Sequence, residues 1–235
     1  VVDNVRRTIV LAALAVLVAI GIGLGIIGWV ARDLRRLAAA AGRIGEGDLD
    51  TPVGLSRRDE IGELARSFER MQARLRTDRL TGLANREALT QQLARRIEHA
   101  RADRRQPRLG VLFIDLNHFK CINDSLGHEA GDRVLQEIAE RLRRSVRSED
   151  FVARYAGDEF VILVDPIADR DALEQVRLHV EDVLSRPIAI AMAGAIDLTA
   201  GGAIGCALFP DDGDNPESLL RHADHAMYAR KQRAT

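Results

Sequence analysis

In the stretch RYAGDEFVILV, Arg154 to Val164, two adjacent carboxylates, Asp158 and Glu159, stand between two runs rich in β-branched and aromatic residues. FVARY and FVILV read as strands and AGDE as the turn of a hairpin, with Gly157 supplying a backbone angle that other residues avoid. Acids at a turn are ordinary by themselves. A third acid changes their meaning, because the run VLFID ends on Asp115, at the C-terminal edge of a strand, where α/β sheets bind ligands. Asp115 and Asp158 on neighbouring strands, with a backbone carbonyl such as that of Leu116, would make a hard-oxygen site for a magnesium ion holding nucleotide phosphates.

Between these acids, NHFKCINDSLGHEAGD supplies Lys120, Asn123, Asp124, His128 and Asp132. A lysine meets phosphate as a point charge, whereas Asn and Asp can read the donor and acceptor edge of a purine. Asp in particular suits guanine, which offers N–H donors side by side. Plainer roles exist for some of them: Asp132 would cap a helix beginning at Arg133, Asp124 would cap a turn, and His128 would serve as a structural hydrogen-bonder.

These side chains need a scaffold, and from Asp78 onward short strands alternate with amphipathic helices. RLGVLFIDL reads as a strand and GDRVLQEIAERLRRSV as a helix. After the hairpin come the helix DRDALEQVRLHVEDVLSR, a strand pair around IAIAM and LTAGGAIGCALF, and the helix PESLLRHADHAMYARK. The order predicts an α/β domain with a mixed sheet and a βαββαβ core of the ferredoxin or polymerase-palm type.

Upstream lies a different kind of chain. Thr8 to Val30 carries no charge and would span ~34 Å as a helix, enough to cross a bilayer. Trp29 sits at its end as an interfacial residue does. Arg32, Arg35, Arg36 and Arg43 outnumber Arg6 and Arg7, which places the C-terminal part in the cytoplasm. With seven residues ahead of the span, an extracytoplasmic sensor is expected either to be absent or to lie outside the given sequence. Leu34, Leu37, Ala41 and Ile44, then Ile61, Leu64, Phe68, Met71 and Leu75, form two narrow apolar stripes interrupted by GEGDLDTPVG. Such stripes require a partner helix, and a parallel dimer with a four-helix bundle satisfies both. The domains expected are therefore a transmembrane helix at 8–30, a linker at 31–77 and a catalytic domain at 78–235.

Composition limits the partners. With 29% charged residues and a net charge of −1, the chain lacks the basic excess of a polyanion binder, so nucleic acid is not an expected partner. Two cysteines, Cys121 and Cys206, both in apolar-looking segments, suit a reducing compartment better than a disulfide framework.

The phrases GDLD and RDEIGELARSF resemble the HAMP linker, a module found just below the membrane in bacterial receptors. DRLTGLANR, FIDLNHFKCINDSLGHEAGD, RYAGDEF and ADHAMYARK resemble, in order and spacing, the GGDEF domain of the diguanylate cyclase family. The resemblance implies a membrane-bound homodimeric nucleotidyltransferase of the bacterial inner membrane. It would condense two GTP into cyclic di-GMP and two pyrophosphates, using Mg2+ (or Mn2+), with each facing domain holding one GTP.

By the same resemblance, Asp115, the Leu116 carbonyl and Asp158 hold metal, Asp158 helps deprotonate the attacking 3′-hydroxyl, and Glu159 is a second catalytic acid. Asn123 and Asp132 read guanine, His128 lies on the substrate side, and Lys120 and Lys231 bind phosphates. Arg147 and Asp150, in RSED, resemble an RxxD inhibitory site for the product. Two positions depart from the family. Ala156 replaces the first glycine, where a positive φ would cost about 1 kcal/mol, and Thr235 stands where a phosphate-binding arginine is usual. These departures keep a second reading open: a catalytically inactive receptor or relay that binds GTP or cyclic di-GMP.

Overall fold

A computed structural model describes residues 2–45, 54, 57, 59–103, 107–191 and 195–234. The chain divides into two compact units, Val1–Leu75 and Arg76–Thr235. Thr235 and most of the GEGDLDTPVG connector lie outside the described residues.

In the first unit, helix α1 runs from Val2 to Gly45 and helix α2 from Glu60 to Arg76. Within α1 the stretch Val16–Arg43, of mean hydropathy 1.7, is long and apolar enough to cross a membrane. Its large apolar side chains point outward: Leu17 and Ile27 are each 66% exposed, as on a helix whose surroundings are themselves apolar. Leu37 and Ala40 of α1 pack with Ala65, Ile61 and Phe68 of α2. Leu37 of the expected stripe is buried there, but Ala40 takes the place expected of Ala41, which is exposed. Leu34, Leu64, Met71 and Leu75 remain 45–53% exposed.

The phrase RRDEIGEL has a local explanation. Asp59 caps α2, its carboxylate accepting from Gly62 N at 3.2 Å. Arg57 bonds Asp33 at 2.6 Å, pairs with Asp59 and lies 3.7 Å from the Trp29 ring centre. A Cβ on Gly62 would stand 2.1 Å from the Arg57 carbonyl oxygen, so glycine is required there for the connector to approach the helix.

The second unit contains helices α3 (Arg86–Ala102), α4 (Phe119–Leu126), α5 (His128–Ser145), α6 (Arg170–Ser185) and α7 (Pro216–Ala234). Its strands are β1 (Arg108–Leu116), β2 (Phe151–Ala156), β3 (Glu159–Ile167), β4 (Ile188–Ala191), β5 (Ala195–Leu198) and β6 (Gly202–Phe209). The main sheet has the order β2-β3-β1-β6, the βαββαβ arrangement expected. Its strand pairs are all antiparallel, where a mixed sheet was expected. Each helical crossover skips a strand position, and the strand that fills the gap runs the other way. β4 pairs with β5 in a separate ribbon, whereas β6 joins β1.

β1 is buried on both faces. Leu112, Ile114 and Leu116 pack into the layer of α5 and α6, and Leu109, Val111 and Phe113 into the layer of α3 and α7. By alternation Asp115 and Glu159 fall on the α3–α7 side, at the open end of the sheet. Gly205 lets α7 lie directly against β6, since a Cβ there would stand 2.0 Å from the Ala223 carbonyl oxygen. One turn beyond Met227, which also abuts Gly205, is Lys231.

A candidate nucleotide site at the hairpin

The turn between β2 and β3 is Gly157–Asp158. Gly157 has φ +50°, which only glycine adopts without strain, while Ala156 lies in β2 opposite Glu159. Among described residues the single non-glycine with positive φ is His118. The strain expected of Ala156 is therefore absent, because the left-handed position is the second residue of AGDE, not the first.

β1 and β3 place Asp115 directly opposite Glu159, and Leu116 N donates to the Asp158 carbonyl at 3.3 Å. Across the other edge of β1, Asp115 and Leu116 face Ala203 and Gly202, small residues that leave the strand end open. Lys231 of α7 is ion-paired with Asp115. The hairpin acids are half-buried. Desolvation raises the carboxyl of Asp158 above its ordinary value, and the charge of Asp115 adds to this against Lys231 and Arg154. Glu159 is likewise raised by burial, then by Asp115, Asp224 and Asp158. Mutually repelling, partly desolvated carboxylates of this kind mark functional sites more often than ordinary turns.

The hairpin is braced by a residue the sequence reading passed over. Arg154 donates to the Gly157 carbonyl from Nε (2.9 Å) and Nη2 (2.7 Å) and bonds Asp78 at 3.0 Å through Nη1. Asp78 in turn accepts from Thr81 N at 2.9 Å and Thr81 Oγ1 at 2.7 Å. Burial would raise the Asp78 carboxyl, but the Thr81 and Arg154 contacts outweigh it and hold it below its ordinary value. An arginine three residues before a glycine turn, with DRLTG upstream, was the available signal. On the α3–α7 side of Glu159 a cleft of about 640 Å³ is lined by Arg86, Phe113, Tyr155 and Asp224, among others.

Lys120, Asn123, His128 and Asp132 follow Asp115 on the α4–α5 hairpin. Lys120, His128 and Asp132 are exposed and Asn123 is half-buried. α5 begins at His128 with Gly127 as its cap, so Asp132 is inside the helix and caps nothing. Asp124 likewise sits inside α4, leaving the carboxylates free of the structural roles considered for them. Arg147 and Asp150 form a tight turn, with Arg147 N donating to Asp150 Oδ2 at 2.9 Å and Asp150 N to the Arg147 carbonyl at 3.2 Å. This turn borders a hollow of about 290 Å³ shared with Arg143 and Gly82. It lies at the start of β2, about 20 Å along the strand from the hairpin tip. Of the two cysteines, Cys121 is exposed and Cys206 partly buried, so only the second occupies the apolar setting expected of both.

The family model for the diguanylate cyclase GGDEF domain matches residues 75–235, and that for the HAMP domain matches residues 25–77. The chain belongs to the GGDEF family. It is 38% identical over 197 residues to the diguanylate cyclase TpbB of Pseudomonas aeruginosa, covering 77% of this chain and 44% of TpbB. It is 37% identical over 181 residues to the cyclic di-GMP phosphodiesterase NbdA of the same organism, covering 75% of this chain and 22% of NbdA. The chain thus spans less than half the length of these curated relatives. Among solved structures, the coiled coil and GGDEF domain of DgcB from Caulobacter crescentus, in complex with c-di-GMP, superposes with a TM-score of 0.67 at 28% identity, over 74% of this chain and 89% of that one.

The donor set of this GGDEF domain fits a divalent cation. Asp115, Asp158 and Glu159 offer hard oxygens, and burial and neighbouring charge hold the carboxyls of Asp158 and Glu159 above their ordinary values, a repulsion that a bound cation would relieve. Among the described residues no group of three or more His, Cys, Asp or Glu side chains is gathered closely enough to hold a metal by itself. Ligands from substrate phosphates and backbone would have to complete the shell.

Proposed function

We propose that this chain is a membrane-anchored diguanylate cyclase, working as a homodimer in the bacterial inner membrane with its GGDEF domain in the cytoplasm. The observation that carries the reading is the half-buried set of acids at one end of the sheet, Asp115 opposite Glu159 with Asp158 at the adjoining turn, and Lys231 ion-paired with Asp115. A bound Mg2+ (or Mn2+), held by Asp115, Asp158 and the Leu116 carbonyl, would supply charge neutralisation at the transferring phosphate.

The chain's own residues do the rest. Lys120 and Lys231 bind the phosphates of GTP, Lys231 exchanging Asp115 for them, while Asn123 and Asp132 read guanine beside His128. The 3′-oxygen of one GTP forms a bond to the α-phosphorus of the other, the α–β bridging bond breaks, and pyrophosphate leaves with that bond's electrons. The hydroxyl proton passes to Asp158, which burial equips to hold it, and Glu159 supports the turn as the second acid. Two such transfers give cyclic di-GMP and two pyrophosphates. The HAMP bundle sets the spacing of the paired domains, and product bound at Arg147 and Asp150 inhibits from a distance.

Incubating the full chain with Mg2+ and GTP, followed by chromatography, tests this. Cyclic di-GMP and pyrophosphate in a ratio of one to two are expected, with no product from ATP. Binding of cyclic di-GMP without any turnover of GTP would overturn the cyclase in favour of the receptor. The hollow beside Arg147 is the feature that favours that second reading.

A further inference from the structure

Gly131 occupies the first turn of α5, buried, at a position where helical backbone makes no demand for glycine: its φ is not among the positive ones, and Ala is the better helix former. Space explains it. A Cβ at 131 would stand 2.0 Å from Asn123 Oδ1, 3.0 Å from Asn123 Cγ and 3.2 Å from the Phe119 ring. The Asn123 amide oxygen therefore sits directly against the bare Cα of Gly131. The two backbones are tied at the same place, Gly127 N donating to the Asn123 carbonyl at 2.9 Å and Gly131 N to the Gly127 carbonyl at 3.3 Å.

We propose that Gly131 is a positioning residue for guanine recognition, acting through Asn123: by presenting no side chain it sets the direction in which the Asn123 amide meets the base. The inference rests on the guanine-reading role given to Asn123 above. An Asn amide turns easily about its last bond, so the surface it lies on determines where its oxygen and nitrogen point. A methyl at 131 displaces Oδ1 by more than 1 Å, beyond the 2.7–3.2 Å window of a good hydrogen bond. A site built to bond a substrate group loses discrimination steeply when that bond fails.

The test compares competitive binding of GTP and ATP to the full chain and to Gly131→Ala, Asn123→Ala and the double variant, with melting curves for each. Gly131→Ala should lower the GTP-over-ATP preference about tenfold, as Asn123→Ala does, and the double variant should lose no more than either alone. Its melting temperature should stay at or above that of the unaltered chain. Unchanged preference in Gly131→Ala, or additive losses in the double variant, would overturn the role of Gly131 and leave the guanine reading standing. A melting temperature that falls in Gly131→Ala and is not restored by removing the Asn123 amide would overturn it as well. If the unaltered chain shows no preference for GTP, the guanine reading itself fails, and this role falls with it.

Discussion

Asp158 is held above its ordinary pKa first by burial and then by the charge of Asp115, so the folded state takes up a proton more readily there than the unfolded state. Stability from this group is complete below the ordinary carboxylate pKa and is lost as pH rises through the raised one. Near neutral pH the ionised Asp158 is therefore a cost to the fold. Asp158→Asn should abolish cyclic di-GMP synthesis yet raise the melting temperature at pH 7 without added metal, an advantage that shrinks toward pH 4. Mg2+ should stabilise the unaltered chain and not the variant, because a ligand bound only by the folded state adds stability. Thermal melts across pH, with and without Mg2+, decide it. A variant less stable than its parent at pH 7 would show that Asp158 is a structural anchor. The two thiols give a second residue-scale expectation. Burial pushes Cys206 up to about 12, whereas Cys121 is exposed; a thiol reagent at pH 8 should modify one cysteine rapidly in the folded chain and the second only on unfolding.

Among elements, the hairpin depends on its brace. Arg154 ties the Gly157 carbonyl to Asp78, and Asp78 heads the turn that joins α2 to α3. Arg154→Ala should cut the rate at least tenfold, as misplacement of catalytic groups does. Asp78→Ala should cut it comparably, and the double variant should be little worse than either single one. Arg154→Lys should not rescue, since one ammonium cannot make the forked contact. Independent, additive losses would separate the brace from the hairpin. The sequence held only a local hint of this, an arginine three residues before the glycine turn, because Arg154 and Asp78 are 76 residues apart and nothing in either neighbourhood marks them as partners. What was readable followed from periodicity: the two buried faces of β1, the helices either side and the glycine turn all have a local signature. The direction of the strands and the true partner of IAIA did not, since pairing is set by which strand fills a crossover gap. The pairing of Lys231 with Asp115 was equally hidden: it depends on Gly205 admitting α7 against the sheet.

At the scale of the whole molecule, the proposed cyclase requires two GGDEF domains to meet. α2 buries Ala65 and packs Phe68 within its own unit, yet leaves Leu64, Met71 and Leu75 about half exposed at seven- and four-residue spacing. A row of this kind is what a second copy would cover. Phe68 is a poor probe, because charging it would disturb the packing of α1 and α2 within one chain. Leu64→Glu and Met71→Glu together leave that packing intact and place like charges along the expected seam. They should lower synthesis at dilute protein by tenfold or more, and fusion of an unrelated parallel dimeriser should recover most of it. The proposed product inhibition belongs to the same scale, since the Arg147–Asp150 turn lies a strand's length from the hairpin tip. Arg147→Ala should leave the initial rate nearly unchanged while raising the cyclic di-GMP concentration for half inhibition about tenfold, the loss of one charge-assisted contact. Measuring initial rates against added cyclic di-GMP in the dimeriser fusion separates the two devices. If product acts by holding the paired domains apart, Arg147→Ala relieves inhibition there as it does in the native chain. Inhibition curves that coincide with and without Arg147 would mean that the RxxD turn takes no part in it.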